Sequence, residues 1–135
     1  MLHGYGSCAA LLYRIHKPLS ERFNLIIIDV IGMGCSSRPD DYHRDLFDSE
    51  RSTEYFVEYL EKWRVAMGIS DFYLAGHSFG GYIVGNYAVK YHHHLKKVIL
   101  MSPIGVKSKT KDSERDLLKK FEGGKNGNPR IFRIF

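Results

Sequence analysis

Residues 76–80 read Gly76, His77, Ser78, Phe79, Gly80, a serine with glycine two positions before it and two after. They follow an apolar run, Phe72–Ala75, and lead directly into a helical pattern that runs to about Tyr91. A serine on so tight a strand-to-helix turn has a strained backbone, and its neighbours at those two positions must be small. The turn lifts the hydroxyl above the sheet and aims the next helix's N-terminus at it. A negative oxygen forming there meets backbone N–H groups and the positive end of a helix dipole. This is the chemistry of attack on a carbonyl, with Ser78 as nucleophile. The pentapeptide alone is a weak signal; its place between strand and helix is what strengthens it. The plain alternative is a tight turn whose serine caps a helix.

Two further loops fit the same chemistry. His3, Gly4, Tyr5 and Gly6 open the chain where a strand would end. Glycines on both sides of Tyr5 let that residue turn its N–H inward as the second oxyanion donor, the N–H of Phe79 being the first. A second loop begins at Asp29 and runs through Gly32, Gly34 and Ser36 to Pro39, and its glycines let the backbone pass close to a pocket. Gly81 extends the small-residue stretch after Ser78. Taken singly, each loop is a turn.

The elements that would position these loops are legible as three apolar runs and three helical patterns. Asn24–Asp29, Phe72–Ala75 and Lys97–Ser102 lack alternation, as strands of a parallel sheet covered on both faces do. Ser49–Met67 places Phe56, Tyr59, Leu60, Trp63, Ala66 and Met67 on one face, with Ser49 as N-cap and Gly68 as the stop. A helix after Ser78 and a shorter one over Leu11–Phe23 complete the set. Strands alternating with helices predict an α/β layered fold.

Composition narrows the function classes. A chain of 135 residues, 44% hydrophobic and 26% charged, is one globular domain rather than a disordered, collagen-like or disulfide-stapled chain. Its longest apolar runs, such as Leu25 to Ile28, hold four residues where a spanning helix needs about twenty. No charged-then-apolar leader opens it, so secretion is not expected, and Cys8 and Cys35 read as reduced cytosolic thiols. Residues 1–106 carry 11 Lys+Arg against 11 Asp+Glu, so the whole net charge of +5 lies in residues 107–135. No nucleic-acid-binding pattern accompanies that basic segment. It reads as a solvated tail, with contact to anionic lipid headgroups as the alternative.

The order of H-G-Y-G at His3, then D-x-x-G-x-G-x-S-x-x-P from Asp29, then G-H-S-F-G-G-Y from Gly76 resembles the α/β-hydrolase superfamily. Within it the chain is most similar to the abhydrolase-domain 4/5 group of lipid hydrolases and acyltransferases, and Phe56–Gly68 strengthens that likeness. The resemblance covers residues 1–106 and implies Ser78 as nucleophile, the N–H groups of Tyr5 and Phe79 as oxyanion hole, and His3 with the glycines as shapers of those loops. It implies a lipid or small ester substrate and no metal or organic cofactor; the expected location is cytoplasmic, with attachment to membranes or lipid droplets as an open alternative. One member of the group lacks the serine and is a lipase co-activator; the serine here favours catalysis. A non-catalytic module docking on lipid surfaces or on a partner lipase is the competing class.

The same resemblance shows what to expect of the ends. Its strand entering H-G-Y-G is represented only by Met1 and Leu2, so Asn24–Asp29 and Phe72–Ala75 should lack their shared neighbour. The first strands and the last strands are expected to be missing, with 1–106 the central part of the core and 107–135 the start of a lid or a basic tail. The triad Asp and His, which follow the serine in this superfamily, are not expected in the chain. His92, His93 and His94 precede a strand whose far end meets Ser78, about 20 Å away. A base must come within about 3 Å. His77 should point away from Ser78 as a packed or hydrogen-bonded residue, and the His43 to Asp48 string is discounted as chance. The isolated chain is expected to show little or no esterase activity.

Overall fold

The computed structural model describes residues 1–40 and 48–105. His43 and the basic segment 107–135 lie outside the described residues. Two strands, β1 (Phe72–His77) and β2 (Leu95–Met101), pair in parallel, with Tyr73 opposite Lys97 and His77 opposite Met101. On the other side of β1, Leu2 bridges Gly76 and also Ile28, again in parallel. Leu2 N–H donates to Ala75 O at 2.9 Å, His77 N–H to Leu2 O at 3.0 Å and Ile28 N–H to Met1 O at 3.1 Å. The sheet therefore runs residues 26–28, residues 1–3, β1, β2.

This corrects two expectations. Asn24–Asp29 does not form a regular strand; it is reduced to the bridge at Ile28, because the neighbour beside it offers only Met1 and Leu2 for pairing. The shared neighbour is also not lacking: Leu2, 2% exposed, joins both sides.

A 3₁₀ turn (Ala9–Leu12) and α1 (Tyr13–Ser20) replace the single expected helix over Leu11–Phe23. Pro18 has no N–H to close a bond back to Arg14, and the regular helix ends two residues later. α2 (Ser49–Ala66) is capped by Asp48, not Ser49: the Asp48 carboxylate accepts the Glu50 N–H at 2.9 Å. Its buried positions are Val57, Leu60 and Arg64, while Ala66 and Met67, expected on that face, are exposed. α3 (Phe79–Tyr91) follows Ser78 as expected. It packs on both strands and on α2, and Ile83, Val84 and Tyr87 meet Leu74, Val98 and Leu60 in the core. Among the described residues no helix is long and apolar enough to cross a membrane.

The α2–α3 seam is polar as well as apolar. Glu61 accepts from Arg64 Nε at 2.9 Å, Arg64 Nη2 at 2.6 Å and the Tyr87 hydroxyl at 2.6 Å. Arg64 Nη1 also donates to the Ile69 carbonyl. The Arg64 guanidinium, with Tyr87, holds the Glu61 carboxyl down at about 2, while burial and Glu61 push the Tyr87 phenol up. Nearer the surface, Lys90 spans Glu54 at 2.9 Å and Glu58 at 2.8 Å. Arg64 sits on a packing face because its charge is fully engaged, which a hydrophobic pattern does not reveal.

Candidate active site

The turn between β1 and α3 is held by backbone. Ser78 has φ 53° and ψ −116°, a left-handed conformation that is costly for a residue with a side chain. Its N–H donates to Met101 O at 3.0 Å, and its carbonyl accepts from Tyr82 N at 3.1 Å and Ile104 N at 3.2 Å. The last residue of β2 and the stretch after it thus brace the turn. Its Ser102 is the other non-glycine residue with positive φ among those described. A side chain on Gly76 would collide with the Gly80 carbonyl, and one on Gly80 would collide with the carbonyls of His3 and Leu2. Gly81 closes the turn against Pro103.

The serine hydroxyl is not spent on capping. Although Ser78 occupies the N-cap position of α3, its side chain accepts no cap hydrogen bond. The capping reading of this serine therefore does not hold. Gly4 lies against it: a Cβ on Gly4 would stand 3.1 Å from Ser78 Cβ and 3.5 Å from its Oγ. The Tyr5 ring meets the Phe79 ring edge-on, centroids 6.1 Å apart, and Phe79 meets Phe56 at 5.1 Å. Among the described residues neither the Tyr5 N–H nor the Phe79 N–H donates to a backbone carbonyl. Phe79 is the first residue of α3, where a helix leaves its N–H groups unpaired.

His3 and Asp29 tie the loops together. His3 is fully buried; its Nε2 accepts the Val30 N–H at 3.0 Å and its Nδ1 donates to Gly4 O at 2.7 Å. Asp29 Oδ1 is 3.3 Å from the same Nε2, but a nitrogen that accepts from Val30 carries no proton to pair with it. The carboxylate instead accepts from Cys35 N at 2.8 Å and Ala9 N at 2.5 Å, and those two amides lower its pKa from the ordinary value. Asp29 thereby clasps the Tyr5 loop to the loop carrying Gly32 and Gly34. Between these loops and α2 lies a hollow of about 610 Å³, with Tyr5, Gly6, Gly32, Gly34 and Phe56 in its walls.

The histidines divide. His92–His94 form a 3₁₀ turn ahead of Leu95, which pairs with Phe72 at the far end of the sheet from Met101. Seven strand residues separate them from Ser78, roughly 20 Å. His77 is exposed rather than packed, a correction: its face of β1 is covered only in part, by Phe23 edge-on against the half-exposed Tyr73, and a Cβ on Gly4 would stand 3.4 Å from its Nδ1. No described imidazole is hydrogen-bonded to Ser78 Oγ. The Met101–Ile104 brace had no sequence signal, and Tyr82, the last residue of the G-H-S-F-G-G-Y stretch, was given no role there; its hydroxyl bonds Thr53 Oγ1 at 2.8 Å and ties α3 to the start of α2.

Residues 1–132 match the model of a family described by the alpha/beta hydrolase fold. A probable 1-acylglycerol-3-phosphate O-acyltransferase of Oryza sativa subsp. japonica is 40% identical over 119 residues, 88% of this chain and 28% of that protein. A human (lyso)-N-acylphosphatidylethanolamine lipase is 39% identical over 105 residues, 78% of this chain and 30% of the lipase. Among solved structures, a bacterial membrane phospholipase A superposes with TM-score 0.69 at 27% identity, covering 87% of this chain and 36% of that one. The chain thus spans about a third or less of the length of the curated relatives it matches. The partial α/β layering, the parallel sheet and the matched sequence agree, and the chain belongs to the α/β-hydrolase fold family.

Proposed function

We propose that Ser78 is the nucleophile of an acyl-group hydrolase or transferase acting on lipid esters. The observation that carries this reading is the uncapped, strained serine at the head of α3 with Gly4 against its hydroxyl. Ser78 Oγ would attack the ester carbonyl, and its proton would pass to a base. The Tyr5 and Phe79 N–H groups would hold the oxyanion. Collapse expels the lipid alcohol and leaves the acyl group on Ser78, from which water or a second alcohol removes it. The similar relatives act, by name, on acylated glycerophosphate or phosphatidylethanolamine lipids, which supports the lipid ester class.

No base is hydrogen-bonded to Ser78 among the described residues, so the 135-residue chain is expected to turn over esters slowly or not at all. The test is hydrolysis of a short-chain lipid ester by the purified chain and by Ser78→Ala. Weak turnover that falls to background in the variant is expected. Turnover unchanged in Ser78→Ala overturns the assignment. The absence of a base beside Ser78 among the described residues also favours a second reading, a non-catalytic module on lipid surfaces. Salt-sensitive liposome binding with no turnover supports it.

A further inference from the structure

We infer that Arg38 reads the phosphate of a glycerolipid headgroup held in the hollow beside Tyr5, which makes it a specificity-determining residue. This rests on the acyl chemistry proposed for Ser78. The hollow of about 610 Å³ has a volume typical of small-ligand sites. Tyr5 and Ser7 form one wall and Tyr55 and Phe56 another, with Met33 adding apolar surface. Arg38 is the one charged residue in the lining among those described, and no carboxylate joins it there. Among the described residues its guanidinium makes one long contact, 3.5 Å to the Gly34 carbonyl, and no ion pair. Asp29 lies just behind Gly34, but both of its oxygens are taken by the amides of Ala9 and Cys35.

An arginine lining a hollow whose described walls carry no carboxylate suits a phosphate, which it can grip with two parallel hydrogen bonds. The placement relative to the chemistry is what gives this meaning. Tyr5 contributes both to the hollow and to the proposed oxyanion hole. A lipid with its ester carbonyl at Ser78 therefore has its glycerol directed past Tyr5, and only glycerol carbons separate ester from phosphate. The apolar rings of Tyr55 and Phe56 would cover those carbons.

The test measures binding rather than turnover, so it does not depend on a base. Titration calorimetry on the 135-residue Ser78→Ala chain compares 1-hexanoylglycerol-3-phosphate with 1-hexanoylglycerol and with glycerol 3-phosphate. The phosphate-bearing lipid is expected to bind about tenfold or more tightly than the neutral one. Arg38→Gln is expected to erase that preference, Arg38→Lys to keep part of it, and added salt to weaken it. A preference that survives Arg38→Gln, equal binding of the two lipids, or binding of neither at millimolar concentration overturns the inference. Equally tight binding of glycerol 3-phosphate assigns the site to a soluble phosphate ester and overturns the lipid reading. Labelling of Ser78 by a fluorophosphonate, run on the wild-type chain, separates these failures from failure of the acyl reading.

Discussion

The two ends of α3 use physical chemistry in opposite ways. At its start, Ser78 is strained, the N–H groups of Phe79 and of the neighbouring Tyr5 have no carbonyl partner among the described residues, and glycine is required where main chains touch. Along its flank, every group in the seam with α2 is engaged: Glu61 takes three hydrogen bonds, Arg64 gives three, and Tyr87 is wholly buried. The first arrangement keeps polar groups available to a ligand, and the second removes them from any ligand. Unsatisfied, strained positions are informative about function where the neighbouring packing is well satisfied.

The largest effect is expected at the start of α3. Gly80→Ala places a methyl group on the His3 and Leu2 carbonyls, and it should cost more than about 3 kcal/mol or prevent folding. Urea denaturation followed by circular dichroism measures it; a variant as stable as the parent breaks the account of the close approach. On the flank, Glu61→Ala strands the buried Arg64 and the Tyr87 hydroxyl and should cost about 3 kcal/mol in the same measurement.

The pH dependence sharpens the flank side. Glu61 titrates near 4.5 when unfolded and about 2 when folded. Its contribution is complete above about pH 4.5 and is lost as pH falls toward 2, a change of about 2–3 kcal/mol. Glu61→Gln should flatten that part of the stability profile; an unchanged slope would assign the loss to other carboxylates. Smaller and of opposite sign, Ser78→Gly should stabilise the chain by about 1 kcal/mol, since glycine tolerates φ 53°. A destabilised Ser78→Gly would mean that the serine is not strained. The smallest effect belongs to Lys90→Ala, whose half-exposed ion pairs with Glu54 and Glu58 should leave the Tm unchanged within error.

Much of this was legible in the sequence where side-chain type reports the environment. Glycines around Ser78 and Tyr5, the apolar runs of both strands and the amphipathic stretch of α2 all announce themselves. What escaped depends on backbone-to-backbone contact or on compensated polarity. Leu2 bridging two segments and Met101 holding Ser78 have no residue signature, because any side chain permits those hydrogen bonds. Asp48 and Ser49 are both good caps, so adjacent choices could not be separated from sequence. Arg64 reads as a surface residue until Glu61 and Tyr87 are seen around it. The Asp29 clasp likewise depends on Ala9 and Cys35, which are far apart in sequence.

The most direct test of the central claim is the rate and site of fluorophosphonate labelling of the 135-residue chain, read by peptide mass spectrometry. Slow labelling confined to Ser78 and accelerated by added imidazole is expected, because no described residue is hydrogen-bonded to Ser78 as a base and the imidazole would supply one. Labelling at another residue would contradict the assignment of Ser78. Rapid labelling without imidazole would show that a base stands within reach, and loss of that rapid phase in His77→Ala would place it at His77.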